Sequence, residues 1–143
     1  MTIAQLNRIL VPLDGSKNSD RGLKHAIELA KQTKMSIIGM HVIPVYLLSE
    51  FRQTSNLKNE MQKKAKLIMK KTRQLVEQKN IIFEERIESG VPGSNIVTFA
   101  GNKKNNVSQI IIGGSSKVGS KEKYFGSVSN YVIHISKIPV TIV

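Results

Sequence analysis

Short, almost uninterrupted apolar segments alternate with helical patterns along the chain, and this alternation constrains its fold more than any other feature. Apolar runs of this length predict strands buried on both faces, as in parallel sheets covered by helices. In one of the segments, residues 81–87, apolar and polar residues alternate more than in the others, and this pattern also indicates a strand. The five predicted strands are residues 9–13, 36–42, 81–87, 107–112 and 139–143.

Helical patterns lie between these strands. Apolar residues recur three or four positions apart within residues 23–30 and, over a longer stretch, within residues 56–79. We therefore expect an α/β three-layer sandwich with a five-stranded, mostly parallel sheet in the order 3-2-1-4-5, about four helices, and one domain over residues 1–143. The predicted helix starts are Ser19-Asp20, Asn56, Ser94 and Gly126-Ser127.

The residue types present exclude several classes of site. The 143 residues include no cysteine, which excludes disulfides, cysteine-ligated metals and a thiol nucleophile. The three histidines, His25, His41 and His134, are too scattered to predict a metal site, and only His41 is expected near a ligand. Glu84 and Glu85 are adjacent on a predicted strand, so they point to opposite faces and cannot act as a pair. We predict no catalytic residues and no metal ligands.

The apolar segments are also far too short for a membrane span, which needs roughly 20 apolar residues. The first residues lack the basic start, apolar run and small-residue cleavage site of a signal peptide. The sequence therefore predicts a cytoplasmic protein.

The chain is strongly basic, with a net charge of +12, so a charged partner should be an anion. Nine basic and two acidic residues lie within residues 52–79, and Lys63, Lys66, Lys70 and Arg73 follow one another at helical spacing. Such a stripe suits nucleic acid or an anionic membrane surface, which makes an interaction protein independent of nucleotide an alternative function. An ordinary solvated helix face accounts for the same residues.

A small ligand has a natural place in a sheet of this order. Open parallel sheets bind ligands beyond the carboxyl ends of the strands where the winding reverses, here between the first and fourth strands. The residues that follow those strands are Asp14-Gly15-Ser16 and the stretch from Gly113 to Ser127. In the second stretch, glycines and the start of the following helix offer backbone N–H groups to an anion, and lysines offer charge. An ordinary loop ending in a helix cap explains it equally well, and its spacing does not match a P-loop.

The residues at these positions resemble those of the universal stress protein family over nearly the whole chain. The resemblance rests on ILVPLDGS at residues 9–16, on His41-Val42, on GSVSNYV at residues 126–132 and on IPVTIV at residues 138–143. Members that bind ATP carry Gly-x2-Gly-x9-Gly-Ser/Thr after the fourth strand. Gly113, Gly126 and Ser127 match that motif, whereas Ser116 stands at its second glycine. A serine there costs about 1 kcal/mol if the backbone needs a positive φ, so AMP, cyclic AMP or no nucleotide remain alternatives to ATP.

The resemblance implies a small stress-response regulatory protein that binds a nucleotide, either with or without Mg²⁺. It implies that Asp14 lies beside the nucleoside and that the Val42 backbone contacts the base edge. It also implies that Gly113, Gly126, Ser127 and Val128 line the phosphate path, with Ser129 assisting. It further implies a homodimer formed through the strand from Pro139 to Val143, and at most weak ATPase activity or autophosphorylation at Ser127 or Ser129. The candidate binding residues are Leu13, Asp14, Gly15, His41, Val42, Gly113, Ser116, Lys117, Gly126, Ser127, Val128 and Ser129.

Overall fold

The computed structural model describes residues 7–50, 54–114 and 126–143. Its strands are β1 (Arg8–Pro12), β2 (Ser36–Pro44), β3 (Phe83–Gly90), β4 (Val107–Ile112) and β5 (Val140–Ile142). They form one parallel sheet in the order β3-β2-β1-β4-β5, which confirms the predicted architecture and strand order. The helices are α1 (Lys17–Thr33), α2 (Val45–Glu50), α3 (Thr54–Glu77), α4 (Pro92–Gly101) and α5 (Ser127–Ile135), with a 3-10 turn at Lys103–Asn105.

The helices cover the sheet in two layers. Helices α1 and α3 pack on one face, where Ile9 and Val11 of β1 meet Met69 and Val76 of α3. Helices α4 and α5 pack on the other face, where Leu10 of β1 belongs to the same cluster as residues of both helices. Because successive residues of β1 point to opposite faces, this central strand contributes to both clusters and is buried on both sides. Among the described residues, no helix is both long and apolar enough to cross a bilayer.

Three helix starts differ from the predictions, and one helix was not predicted. Helix α3 begins at Thr54, two residues before the predicted Asn56. Helix α1 begins at Lys17 with Ser16 as its N-cap, so the prediction of Ser19-Asp20 is wrong. Helix α4 begins at Pro92 rather than at Ser94, because a proline in the first turn loses no helical hydrogen bond. Helix α2 has no counterpart among the predicted helices, since its six residues are too few to show a helical period.

The third strand is also displaced from its predicted place. Strand β3 starts at Phe83 and continues to Gly90, whereas the pattern predicts residues 81–87. Its last residues keep their register with the end of β2, where Pro44 lies beside Gly90. Pairing with the longer neighbour therefore extends the strand beyond its own apolar pattern.

Helix α1 crosses the end of β4 in direct backbone contact. A Cβ atom on Gly113, the residue after β4, would lie 1.9 Å from the carbonyl oxygen of Asn18 in the first turn of α1. A Cβ atom on Gly22, one turn further along, would lie 3.1 Å from the backbone nitrogen of Gly113. The two glycines therefore allow a helix and a strand end to approach more closely than side chains permit.

We expect Gly113→Ala to lower the free energy of unfolding by about 3 kcal/mol, because its methyl group overlaps backbone that cannot move aside. The measurement is urea unfolding followed by circular dichroism. Gly101→Ala is the matched control, since a Cβ there meets no atom within 4 Å, and it should leave stability unchanged or raise it by up to about 1 kcal/mol. Equal stability of the two variants would contradict the contact.

Candidate functional site

A cleft of about 450 Å³ opens at the carboxyl ends of the strands, between the two helical layers. Nine of the twelve candidate binding residues line it. Gly15 belongs to the adjacent turn but is not in the lining, and Ser116 and Lys117 lie outside the described residues. The nine are Leu13, Asp14, His41, Val42, Gly113, Gly126, Ser127, Val128 and Ser129.

The turn between β1 and α1 forms one wall of the cleft. Asp14 Oδ1 accepts a hydrogen bond from the backbone N–H of Ser16 at 2.9 Å, which closes a short Asx turn. Gly15 has a φ of +84°, a left-handed conformation that other residues rarely adopt. The Ser16 hydroxyl then accepts from the N–H of Ser19 at 3.2 Å and caps α1. The turn is thus held by its own side chains.

Asp14 is the acidic residue of this wall. Partial burial acts to raise the pKa of Asp14, but hydrogen bonds with Ser16 and Ser19 outweigh burial and hold the pKa below its usual range. The carboxylate is consequently ionised at neutral pH. Because an ionised carboxylate only accepts hydrogen bonds, it suits the hydroxyl groups of a sugar and repels a phosphate.

His41 holds the end of β1 against β2. Its buried ring lies with Nδ1 at 2.6 Å from the carbonyl oxygen of Leu13, and since a carbonyl only accepts, Nδ1 must carry the proton. The N–H of Leu13 donates in turn to the carbonyl of Met40 at 2.8 Å. Both polar groups of the Leu13 backbone are therefore paired. His41 lines the cleft, but its Nδ1 has a structural task that the sequence did not show.

The start of α5 forms the opposite wall and differs from the start of α1. Its N-cap is Gly126, which has no side chain to accept hydrogen bonds from the first-turn N–H groups. The N–H groups of Ser127, Val128 and Ser129 belong to that turn, and all three residues line the cleft. The positive end of the helix dipole lies at the same place. Ser129 Oγ donates to the Gly126 carbonyl at 3.1 Å, so its hydroxyl is engaged within the helix.

Several lining residues were not predicted from sequence. Ser16, Asn18 and Ser19 come from the start of α1, and only their proximity to Asp14 in the chain could have indicated them. Residues of α2, of α3 and of the start of α4 also line the cleft. No local sequence pattern predicts this, because it depends on how α3 packs across the sheet. These residues are Tyr46, Leu47, Met61, Lys64, Pro92 and Ile96.

The described residues of the cleft lining offer few ligands for a metal ion. In the described ranges, no group of three His, Cys, Asp or Glu residues could hold a metal ion. Asp14 is the acidic residue in the cleft lining, so a magnesium ion here would depend on ligands supplied by phosphates and water. His25 and His134 are both exposed and do not line the cleft.

Comparison with known proteins places this architecture in a family. The model of the Universal stress protein family matches residues 5–143. Universal stress protein YxiE of Bacillus subtilis is 30% identical over 153 residues, covering 96% of this chain and 98% of YxiE. The solved structure of protein MJ0577 of Methanocaldococcus jannaschii superimposes with a TM-score of 0.82 at 29% identity, covering 97% of this chain and 96% of MJ0577.

Two further solved structures share the fold and contain a nucleotide. A universal stress protein from Archaeoglobus fulgidus in complex with dAMP has a TM-score of 0.74 at 22% identity, with 98% of each chain covered. A universal stress protein in complex with cAMP has a TM-score of 0.71 at 23% identity, with 97% of each chain covered. At these identities the likeness concerns the fold.

The hydrogen bonds of Asp14 predict a pH-dependent contribution to stability. Because the folded-state pKa of Asp14 lies below its ordinary value of 3.8, the stabilisation is complete above that pH and is lost as the pH falls through the folded-state pKa. Asp14→Ala should lower the free energy of unfolding by about 1 kcal/mol at neutral pH, and by less at about pH 3. Urea unfolding at a series of pH values measures this difference.

Asp14→Asn is the matched control, because it keeps an oxygen that accepts from Ser16 N–H but removes the charge. Its stability relative to Asp14→Ala should not depend on pH. A constant difference between the wild type and Asp14→Ala from neutral to acid pH would show that the carboxylate charge contributes nothing.

Proposed function

The chain belongs to the universal stress protein family, and we propose that its cleft binds an adenine nucleotide and that the protein acts as a stress-response regulator. One observation carries the proposal. Residues from four distant parts of the chain, namely the Asp14 turn, the end of β2, Gly113 and the start of α5, line one cleft at the switch point of the sheet. Its volume of about 450 Å³ is in the usual range for a small-molecule site.

The two walls suggest how the nucleotide lies. The ionised Asp14 suits the sugar hydroxyls, and Val42 at the end of β2 provides backbone groups for the base edge. The phosphates would point toward α5, where the first-turn N–H groups and the helix dipole favour negative charge. Gly113 contributes backbone without a side chain on that path.

The bound nucleotides of the neighbours support the choice of ligand. dAMP and cAMP each combine an adenine base with a single phosphate group, and both were found in proteins of this fold. ATP is the third candidate, on the match of Gly113, Gly126 and Ser127 to the family motif. The proposal requires no metal held by the protein, and a role for Mg²⁺ would show as a difference in ATP affinity with and without the ion.

The edge of the sheet supports a homodimer. Strand β5 pairs with β4 on one side, and its residues Val140, Thr141 and Ile142 are all partly exposed. We propose that the segment from Pro139 to Val143 pairs with a second copy, since an unpaired apolar edge invites association. Sedimentation equilibrium tests this, and a monomer at micromolar concentration would contradict it.

Gly126→Asp tests the phosphate end of the cleft. With φ −66° and ψ 168°, Gly126 has a backbone conformation that any residue adopts. An aspartate there should cap α5 and raise stability by about 0.5 kcal/mol, while its carboxylate occupies the N–H groups and repels phosphate. We expect calorimetric titration to show at least a roughly tenfold loss of ATP or AMP affinity and little change for adenosine.

Gly126→Asn is the matched control, because it caps the helix without adding charge and should lose less affinity than Gly126→Asp. A wild-type protein that binds none of ATP, AMP, cyclic AMP and adenosine would overturn the proposed function. Unchanged ATP affinity in Gly126→Asp would place the phosphates elsewhere.

The uneven distribution of charge favours a second candidate function. Helix α3 contains seven Lys or Arg residues and two Glu residues, whereas α4 and α5 on the other face contain no Asp, Glu, Lys or Arg. Lys63, Lys66 and Lys70 are exposed on α3. We propose that this basic layer attracts nucleic acid through its phosphate backbone, without base specificity.

Replacing Lys63, Lys66 and Lys70 together by glutamine should weaken binding to a fluorescent single-stranded oligonucleotide by more than about tenfold at low salt, because three charges that neutralise phosphates are removed. The matched control replaces three exposed lysines outside α3, namely Lys103, Lys104 and Lys137, by glutamine. Equal weakening in both triple variants, or no oligonucleotide binding at low salt, would contradict this function. Binding to anionic vesicles alone would identify a membrane surface instead.

A further inference from the structure

One exposed lysine of the basic helix, Lys64, also lines the cleft. Lys64 lines the cleft together with Met61, which precedes it by nearly one helical turn. The Cε atom of Lys64 lies 3.9 Å from the position of a Cβ on Gly15, so the side chain extends over the turn that carries Asp14. Ile68, one turn further along α3, approaches the same position to 3.2 Å and fixes the helix against the turn.

The charges of the described cleft lining are those of Asp14 and Lys64. Within the described residues Lys64 is in none of the ion pairs, which involve Arg8, Lys31, Arg73 and Arg86. The carboxylate of Asp14 on its own would oppose the entry of a phosphate-bearing ligand. A cation held over the same turn offsets that repulsion and leaves the carboxylate available to hydroxyl donors.

We propose that Lys64 is a specificity-determining residue of the cleft, which makes the site prefer nucleotides to uncharged nucleosides. The inference rests on the proposed nucleotide function and adds the residue that selects for ligand charge. Because Coulomb attraction grows with ligand charge, Lys64 should raise the affinity for ATP more than the affinity for AMP, and it should hardly change the affinity for adenosine. The attraction acts across solvent at the mouth of the cleft, so salt should weaken it.

The neighbouring lysines make this proposal specific to one position. Lys63, Lys66, Lys70 and Lys71 are exposed on the same helix, as Lys64 is, but none of these four lines the cleft. A general effect of the positive helix on anions would therefore be shared by all of them. Among the lysines of α3 that the structure describes, a direct effect on the ligand is expected of Lys64.

The experiment is calorimetric titration of ATP, AMP and adenosine into the wild type, Lys64→Gln, Lys64→Arg and Lys66→Gln. We expect Lys64→Gln to lower the affinity for ATP about fivefold to tenfold, the affinity for AMP by less, and the affinity for adenosine by less than about twofold. Lys64→Arg, which keeps the charge, should retain most of the preference, and Lys66→Gln should behave as the wild type. Raising the salt concentration should reduce the difference between wild type and Lys64→Gln.

The outcomes separate this inference from the proposed function. Suppose that the wild type binds ATP, but that Lys64→Gln lowers the affinities for ATP and adenosine equally or lowers neither of them. Lys64 then does not select for charge, and only this inference is wrong. If Lys66→Gln loses as much ATP affinity as Lys64→Gln, the effect belongs to the helix and the inference is again wrong. If the wild type binds no nucleotide or nucleoside, the proposed function is wrong and the inference with it. Urea unfolding of Lys64→Gln should match that of Lys66→Gln.

Discussion

The close contact between the start of α1 and the end of β4 is the constraint on which the rest of the cleft depends. The backbone of Asn18 lies where a side chain on Gly113 would be, and Gly22 extends the same contact along the helix. This contact keeps the β1–α1 turn beside the chain as it leaves β4. Since α5 opens on the same cleft, two helix starts that are far apart in sequence become opposite walls of one space. Gly113 therefore has a packing reason to be glycine, independent of any ligand.

The two walls have different electrostatic characters because their helices are capped differently. At the start of α1 the Ser16 hydroxyl accepts from Ser19 N–H and the Asp14 carboxylate accepts from Ser16 N–H, so this wall has side-chain acceptors of its own. Gly126 cannot do the same for α5, whose first N–H groups are left to other acceptors. A ligand with hydroxyl groups at one end and a phosphate at the other complements both walls. Lys64 of α3 lies over the same turn as Asp14, and its positive charge is the feature from which we infer a weaker repulsion of such a ligand.

The fold also separates the charges of the chain in space. Helices α4 and α5 carry no Asp, Glu, Lys or Arg, while α3 is strongly basic, and the sheet keeps these layers on opposite faces. Most lysines of α3 are directed to solvent and give the face a long-range attraction for anions. Lys64 differs from them through its position on the helix circumference, which places it over the Gly15 turn. The same basic helix thus has an exposed, positively charged face and one lysine in the cleft lining.

The sequence by itself determined the parallel sheet and, within a few residues, its strands, because strands buried on both faces leave almost continuous apolar patterns. The Asp14 turn after β1 and Gly113 after β4 also marked the switch point at which the cleft lies. Nine of twelve candidate residues lie together in the structure, because the strand order brings the Asp14 turn near Gly113 and the start of α5, and the family resemblance added the end of β2. Helix starts were less predictable, since Ser16 and Ser19 are equally good caps in sequence and only the backbone of the turn chooses between them. Only the tertiary structure decided that His41 binds the Leu13 carbonyl and that Tyr46, Met61 and Lys64 reach the cleft. Those contacts depend on how distant elements cross, and the spacing of residues within one element contains no information about that crossing.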